Sequence, residues 1–91
     1  MPRFVIPGLL QSITAGEREV PAEGGTVAEA LAALTRLYPE ARSRLFAEDG
    51  TLRTHVNLFV NEEDIRFLRG LETPVAESDE ILIIPAMAGG S

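Results

Sequence analysis

The sequence closes with Ile81-Leu82-Ile83-Ile84-Pro85-Ala86-Met87-Ala88-Gly89-Gly90-Ser91, an apolar run of strand length followed by a tail of small residues. The run over residues 81–84 contains only isoleucine and leucine, which is typical of a strand buried on both faces. Because Pro85 cannot donate to a β-ladder, we expect strand pairing to fade there. Gly89 and Gly90 have no Cβ, so residues 86–91 are predicted to form a flexible tail after a domain of residues 1–85.

A helix is predicted upstream of this strand, over residues 27–37. Apolar residues recur there at the offsets of one helical face, at Val27, Ala30, Leu31, Leu34, Leu37 and Tyr38. Thr26 is the predicted N-cap, and Glu29 completes a capping box in which its carboxylate reaches back to the N–H of Thr26. Pro39 ends the helix because it disfavours the α conformation at the preceding residue. One further helical turn is predicted over residues 40–45.

The remaining apolar runs predict a sheet. Strands are expected at residues 4–7, 18–21, 55–60 and 81–84, with a short edge strand at 65–67. The first and last strands are predicted to be central because their apolar runs are continuous, and parallel because no hairpin joins them. The order of elements therefore predicts an α+β fold of the β-grasp type, a mixed sheet packed on one main helix.

Composition excludes several classes of function. The chain of 91 residues has no cysteine and one histidine, His55, so a thiolate or zinc centre is not expected. Its net charge is −6 and all its basic residues are arginine, which disfavours binding to nucleic acid. No apolar run reaches the length of a membrane span, and the N-terminal residues do not form a secretory signal, so a cytoplasmic protein is expected. We find no acid, base and nucleophile constellation and expect no independent enzyme.

Alternation along the strands predicts that the sheet has one face without a helix. Phe59, Leu82, Ile84 and Met87 are expected on or beside that face, where they would form a partner-docking surface next to the tail. Two other interpretations are that loops cover these residues or that a homodimer buries them.

The acidic run Glu62-Glu63-Asp64 has three interpretations. It could bind a cation, form a solvated turn, or contact arginines on a partner, and we prefer the third.

Three segments together resemble the ubiquitin-like sulfur carriers of the ThiS/MoaD family. They are Val56-Asn57-Leu58-Phe59-Val60-Asn61-Glu62-Glu63-Asp64-Ile65-Arg66-Phe67, Gly70-Leu71-Glu72-Thr73-Pro74, and the stretch from Asp79 to the Gly-Gly pair. Within the family the chain most resembles the carriers that serve cysteine biosynthesis. The resemblance implies a β-grasp fold and a carrier that is adenylated and then thiocarboxylated at Gly90. It also implies that Ala88 and Gly89 pass through a narrow adenylation channel.

The resemblance implies partners rather than bound cofactors. An E1-like adenylyltransferase/sulfurtransferase would use ATP to activate the tail, and a sulfur-accepting synthase of the cysteine synthase type would take the sulfur. Ser91 departs from the family pattern, because with it attached Gly90 has no free carboxylate. Either a zinc peptidase removes Ser91 from a precursor, or Ser91 is foreign to the natural chain.

Other functions remain open on the sequence alone. The chain could be the small subunit of molybdopterin synthase, or a sulfur carrier for thiamin, tRNA or a specialised metabolite. It could also be a ubiquitin-like modifier that joins Gly90 to lysines of target proteins. A β-grasp interaction domain with incidental glycines is the third class.

Overall fold

The main helix is fixed at its N-terminus by the predicted capping residue. In the computed structural model, which describes residues 1–85, α1 spans Val27–Leu37 as predicted. The Thr26 side chain accepts a hydrogen bond from the Glu29 N–H at 3.2 Å. The Glu29 carboxylate accepts from the N–H of Gly25, at 2.7 Å, and the prediction that it binds the N–H of Thr26 is wrong. An isolated β-bridge joins Thr26 to Pro74, and Thr26 has an extended backbone. In this geometry the Gly25 N–H lies within hydrogen-bond distance of the Glu29 carboxylate.

A second helix, α2, spans Pro39–Leu45 and confirms the further turn predicted after the proline. Tyr38 separates the two helices with φ −128° and ψ 89°, outside the α region, as expected for a residue before proline. The N–H of Tyr38 still donates to the Leu34 carbonyl at 2.8 Å, which closes the last turn of α1.

The sheet has five strands in the order β2-β1-β5-β3-β4. They are β1 (Arg3–Val5), β2 (Glu19–Pro21), β3 (Val56–Val60), β4 (Glu63–Asp64) and β5 (Glu80–Pro85). β1 and β5 are parallel and all other neighbours are antiparallel. The first and last strands are therefore internal and parallel, which confirms the β-grasp arrangement.

Several predicted strand boundaries differ from the structure. β1 and β2 are shorter than expected, and the chain between them forms a 3-10 helix over Gly8–Thr14. β3 begins at Val56 rather than at His55. The edge strand predicted at residues 65–67 is wrong: those residues form a 3-10 turn, and the edge strand is Glu63–Asp64. The cause is Asp64, whose carboxylate accepts the Arg66 N–H at 2.8 Å and turns the chain after two strand residues.

The core lies between the sheet and the helices. Every residue predicted to face the helix is buried, namely Phe4, Ile6, Val56, Leu58, Val60, Ile81 and Ile83. The prediction that the last strand is buried on both faces is wrong, because Leu82 is only half-buried and Ile84 is 37% exposed. Helical residues cover one face of β5 and leave the other face partly open.

Candidate functional site

The candidate site is the open face of the sheet, centred on β5. In the strand register, Leu82 lies between Val5 on β1 and Phe59 on β3. The next row on the same face pairs Ile84 with Asn57. Side chains two residues apart on a strand share a face, so these five residues form one contiguous surface, which we call the open face.

The open face is apolar and partly exposed. Val5, Phe59 and Leu82 are half-buried, and Ile84 is among the more exposed large apolar residues of the described chain. The structure thus brings together three of the four residues predicted for docking, and the described loops do not bury them. The fourth, Met87, lies outside the described residues, and the docking role itself stays a prediction.

One end of the open face carries charge. Arg3 precedes Val5 by two residues and shares its face. Its guanidinium forms ion pairs with Glu80 and, at 3.5 Å between Nε and Oε1, with Glu19. All three side chains are about half-exposed, so these ion pairs contribute little to stability. They form a charged boundary at this end of the apolar surface.

The edge of the open face carries an ion pair that the sequence analysis missed. Asp64 lies opposite Phe59 in the register and is 8% exposed. Its carboxylate accepts hydrogen bonds from Arg66 Nη2 at 2.7 Å and from Nε at 3.1 Å. Hydrogen bonds from the side chain and the N–H of Arg66 hold the pKa of Asp64 below its usual range. The spacing Asp-x-Arg after a strand is the sequence signal that could have indicated this pair.

This pair changes the interpretation of the acidic run 62–64. Asp64 is committed to an arginine of its own chain, which leaves only Glu62 and Glu63 exposed for a partner. Within residues 1–85, no three His, Cys, Asp or Glu side chains are grouped so that they could hold a metal ion.

A second polar cluster fixes the start of β5 and was also missed. Asn61 has a left-handed φ of 60°, and its Nδ2 donates to Asp79 Oδ1 at 3.0 Å. Its Oδ1 accepts the Glu80 N–H at 3.2 Å. Hydrogen bonds from the Ala76 N–H and then from Asn61 lower the pKa of Asp79. The turn after β3 is thereby joined to the strand that leads to the tail.

The last described residue, Pro85, pairs with Val56 of β3 at the end of β5, and the predicted tail follows it in the sequence. The residues predicted to take part in the chemistry, Ala88, Gly89 and Gly90, lie outside the described residues, as does Ser91. The predicted flexibility of residues 86–91 therefore stays a prediction.

No helix within residues 1–85 combines the length and the apolar character needed to cross a membrane.

Comparison with known proteins confirms the resemblance seen in the sequence. Residues 4–90 match the ThiS family. The sulfur carrier protein CysO of Mycobacterium tuberculosis is 39% identical over 87 residues, which cover 93% of this chain and 94% of that protein. Small archaeal modifier protein 1 of Haloferax volcanii is 35% identical over 79 residues, which cover 84% of this chain and 86% of that protein.

A solved structure shows the same fold. The structure of the Amycolatopsis orientalis BexX/CysO complex contains a chain with a TM-score of 0.88 and 38% identity, and the alignment covers 99% of this chain and 100% of that one.

Proposed function

Because the chain belongs to the ThiS family, we propose that it is a sulfur carrier that is activated at its Gly90 carboxylate. The observation that carries this proposal is the extent of the family match. It runs from the first strand to residue 90 and so includes the Gly-Gly pair as well as the β-grasp domain.

The proposed chemistry takes place in two steps on the Gly90 carboxylate. An oxygen of the carboxylate attacks the α-phosphate of ATP and pyrophosphate leaves, which gives an acyl-adenylate. Hydrosulfide then attacks the carbonyl carbon, a C–S bond forms, the C–O bond to AMP breaks with its electron pair leaving on AMP, and the S–H proton is lost to solvent. The product is a thiocarboxylate, whose anionic sulfur is the competent nucleophile, as it is for cysteine.

The adenylating site and its ATP are supplied by a separate enzyme of the E1-like adenylyltransferase/sulfurtransferase class. A second enzyme, a sulfur-accepting synthase, would then take the sulfur. The chain contributes the reacting carboxylate, a tail narrow enough for an enzyme channel, and a surface that the enzymes recognise. We assign that surface to the open face, because Phe59, Leu82 and Ile84 are apolar, partly exposed and carried on β5, which precedes the tail in the sequence, and on its neighbour β3.

Removal of Ser91 is part of the proposal. With Ser91 attached, Gly90 is an internal amide and presents no carboxylate to ATP. A zinc peptidase that cleaves after Gly90 would therefore act before activation.

Cysteine biosynthesis is the pathway that we propose, with a cysteine synthase type of acceptor. Its support is the 39% identity with a protein named CysO over nearly the whole chain. A second candidate function is protein modification, which the 35% identity with a small archaeal modifier protein favours.

The test compares three forms of the chain: one that ends at Gly90, one that ends at Ser91, and one that ends at residue 90 with Gly90→Ala. Each is incubated with ATP, a sulfide source and the purified adenylating enzyme of the same organism, and the intact mass is measured. We expect sulfur in place of one oxygen only in the form that ends at Gly90, and a strongly reduced yield for Gly90→Ala. Adenylation of the form that ends at Ser91, or no sulfur in any form, would refute the proposal. Higher-mass conjugates in the native organism would favour the modifier function.

A further inference from the structure

Two arginines line one cavity at the start of β3. The cavity has a volume of about 300 Å³, and its lining includes Arg53, Arg66, Thr54 and Asn57. That volume lies at the lower end of the range of small-molecule sites, about 300–1,000 Å³. The side chains of these four residues carry N–H and O–H donors, so the cavity suits a small group that accepts hydrogen bonds.

Both guanidinium groups are oriented by contacts within the chain. Arg53 is half-buried, and its Nε donates to the Ser43 carbonyl at 2.9 Å. Arg66 is held by Asp64 through Nε at 3.1 Å and Nη2 at 2.7 Å. A guanidinium has five N–H donors, and these contacts do not use all of them. An arginine that is already oriented loses little further conformational freedom when it binds a carboxylate.

The charge of the cavity is opposite to that of the chain. The charged residues that line it are Arg53, Arg66 and Asp64, which sum to a formal charge of +1, whereas the whole chain carries −6. An anion is therefore attracted to this cavity, although the net charge of the chain repels it.

The end of β5 points toward the same part of the chain. β3 and β5 are antiparallel, so each step forward along β5 is a step back along β3, and the last pair joins Pro85 to Val56. Val56 also lines the cavity. Residues 53–55, which precede Val56, form a turn in which the Val56 N–H donates to the Arg53 carbonyl at 3.0 Å. At Pro85, β5 is therefore directed toward the turn that carries Arg53.

The segment that follows Pro85 is long enough to reach the two arginines. Paired residues of antiparallel strands have Cα atoms about 5 Å apart, which is the distance expected between Pro85 and Val56. Five residues lie between Pro85 and the end of the mature chain proposed above, Gly90 included, and five extended residues span up to about 17 Å. The mature chain thus supplies a carboxylate within reach of the cavity.

We propose that the cavity binds the C-terminal carboxylate of this same chain, with Arg53 as the main binding residue and Arg66 as the second. The proposal rests on the proposed function, since it takes the mature chain to end at Gly90. Arg53 would donate two parallel hydrogen bonds to the carboxylate, the usual geometry of such a pair. Gly89 and Gly90 have no Cβ, so their backbone could lie close to the cavity wall. An enzyme that takes the tail would have to displace it from this site.

The test measures the motion of the tail in the absence of any enzyme. NMR relaxation at neutral pH gives the backbone order parameters S² of Gly89 and Gly90 in a ¹⁵N-labelled chain that ends at Gly90. Two altered forms each remove one of the two charges: Arg53→Gln, and a chain whose terminal carboxylate is replaced by a carboxamide. The control is Arg18→Gln, because Arg18 is exposed and directly precedes β2, which lies across β1 from β5. Far-UV circular dichroism first establishes that each form is folded.

We expect S² above about 0.6 for both glycines of the wild type at low salt, and below about 0.6, the range of a flexible backbone, in Arg53→Gln and in the carboxamide. Arg18→Gln should match the wild type, and about 1 M NaCl should lower the wild-type values to those of Arg53→Gln.

The prediction of a flexible tail, made from the sequence, gives the opposite result. Wild-type values below about 0.6 at low salt, or values that Arg53→Gln leaves unchanged, would overturn the carboxylate site. Because the measurement needs no enzyme, a chain whose tail is held by Arg53 but gains no sulfur would count against the proposed function alone. A chain that gains sulfur although its tail is free would count against the carboxylate site alone.

Discussion

Two neighbouring residues of β5 provide a direct test of the open face. Leu82 and Ile83 are consecutive apolar residues on the central strand, so their side chains point to opposite faces of the sheet. Ile83 is completely buried among the helical residues of the core, whereas Leu82 is half-buried on the open face between Val5 and Phe59. Replacing each by serine makes almost the same chemical change in two different surroundings.

The structure predicts very different losses of stability for the two variants. Removal of the Ile83 side chain should cost about 2–5 kcal/mol for the lost burial and the cavity. The buried hydroxyl adds about 1–3 kcal/mol. A domain of this size has a free energy of unfolding of about 5–14 kcal/mol, so Ile83→Ser should be marginally folded or unfolded. Leu82→Ser mainly removes the cross-strand contacts with Val5 and Phe59, each of which contributes about 0.2–1 kcal/mol to the free energy of unfolding.

The assay is urea denaturation followed by far-UV circular dichroism. Tryptophan fluorescence cannot be used because the chain has no tryptophan and only one tyrosine. Leu82→Ser should unfold at nearly the wild-type urea concentration and should lose activation by the adenylating enzyme. A Leu82→Ser variant as unstable as Ile83→Ser would show that the open face is packed in the folded chain. A stable Leu82→Ser variant that is activated at the wild-type rate would refute the docking role.

Three further predictions concern stability. On α1, Leu34→Ala should lower the free energy of unfolding by about 2–5 kcal/mol because Leu34 is 1% exposed. Leu37 is 61% exposed, so Leu37→Ala should lower it by less than about 1 kcal/mol. Equal losses for the two variants in urea denaturation would refute the assigned helix face. The folded-state pKa of Asp64 is lowered, so its contribution to stability is present above the unfolded pKa of about 4 and is lost as pH falls through the folded value. Asp64→Asn should therefore be less stable at pH 7 and lose less stability on acidification, and an unchanged acid dependence of the urea midpoint would contradict this. Gly24→Ala should cost about 1–3 kcal/mol, because φ is 132° and the new Cβ would lie 2.6 Å from the Glu29 Cβ. Gly8→Ala serves as the control, because the new Cβ would have no atom within 4 Å beyond its chain neighbours. If both variants unfold at the same temperature, strain at residue 24 is excluded.

Much of the fold could be predicted because its signals are local. The helix over residues 27–37 depends on a 3.6-residue apolar period, an N-cap at Thr26 and a proline at 39, all within one segment. The assignment of strand residues to the buried face depends only on alternation, and every predicted helix-facing residue is buried. The residues of the open face followed from the same alternation, since Phe59, Leu82 and Ile84 occupy the opposite parity.

Two of the wrong predictions share a different cause. Residues 65–67 are apolar and basic like a strand, but the Asp64 side chain competes for the backbone N–H of Arg66 and turns the chain. The Glu29 carboxylate binds the N–H of Gly25 rather than that of Thr26, at a point where a β-bridge joins Thr26 to Pro74, far away in sequence. In both cases a hydrogen bond to a specific atom outweighed a residue-type preference.

The sequence by itself determined the β-grasp order of elements, the two faces of the sheet and the family to which the chain belongs. These properties depend on periodicity and on motifs, which can be read directly from the order of residues in the chain. Only the tertiary structure decided that Arg53 and Arg66 line one cavity with Val56, which pairs with Pro85 at the end of β5, and that Phe67 is exposed on the 3-10 turn. Such proximities arise when strands pair across long separations in sequence, and no local pattern encodes the distance between side chains that pairing brings together.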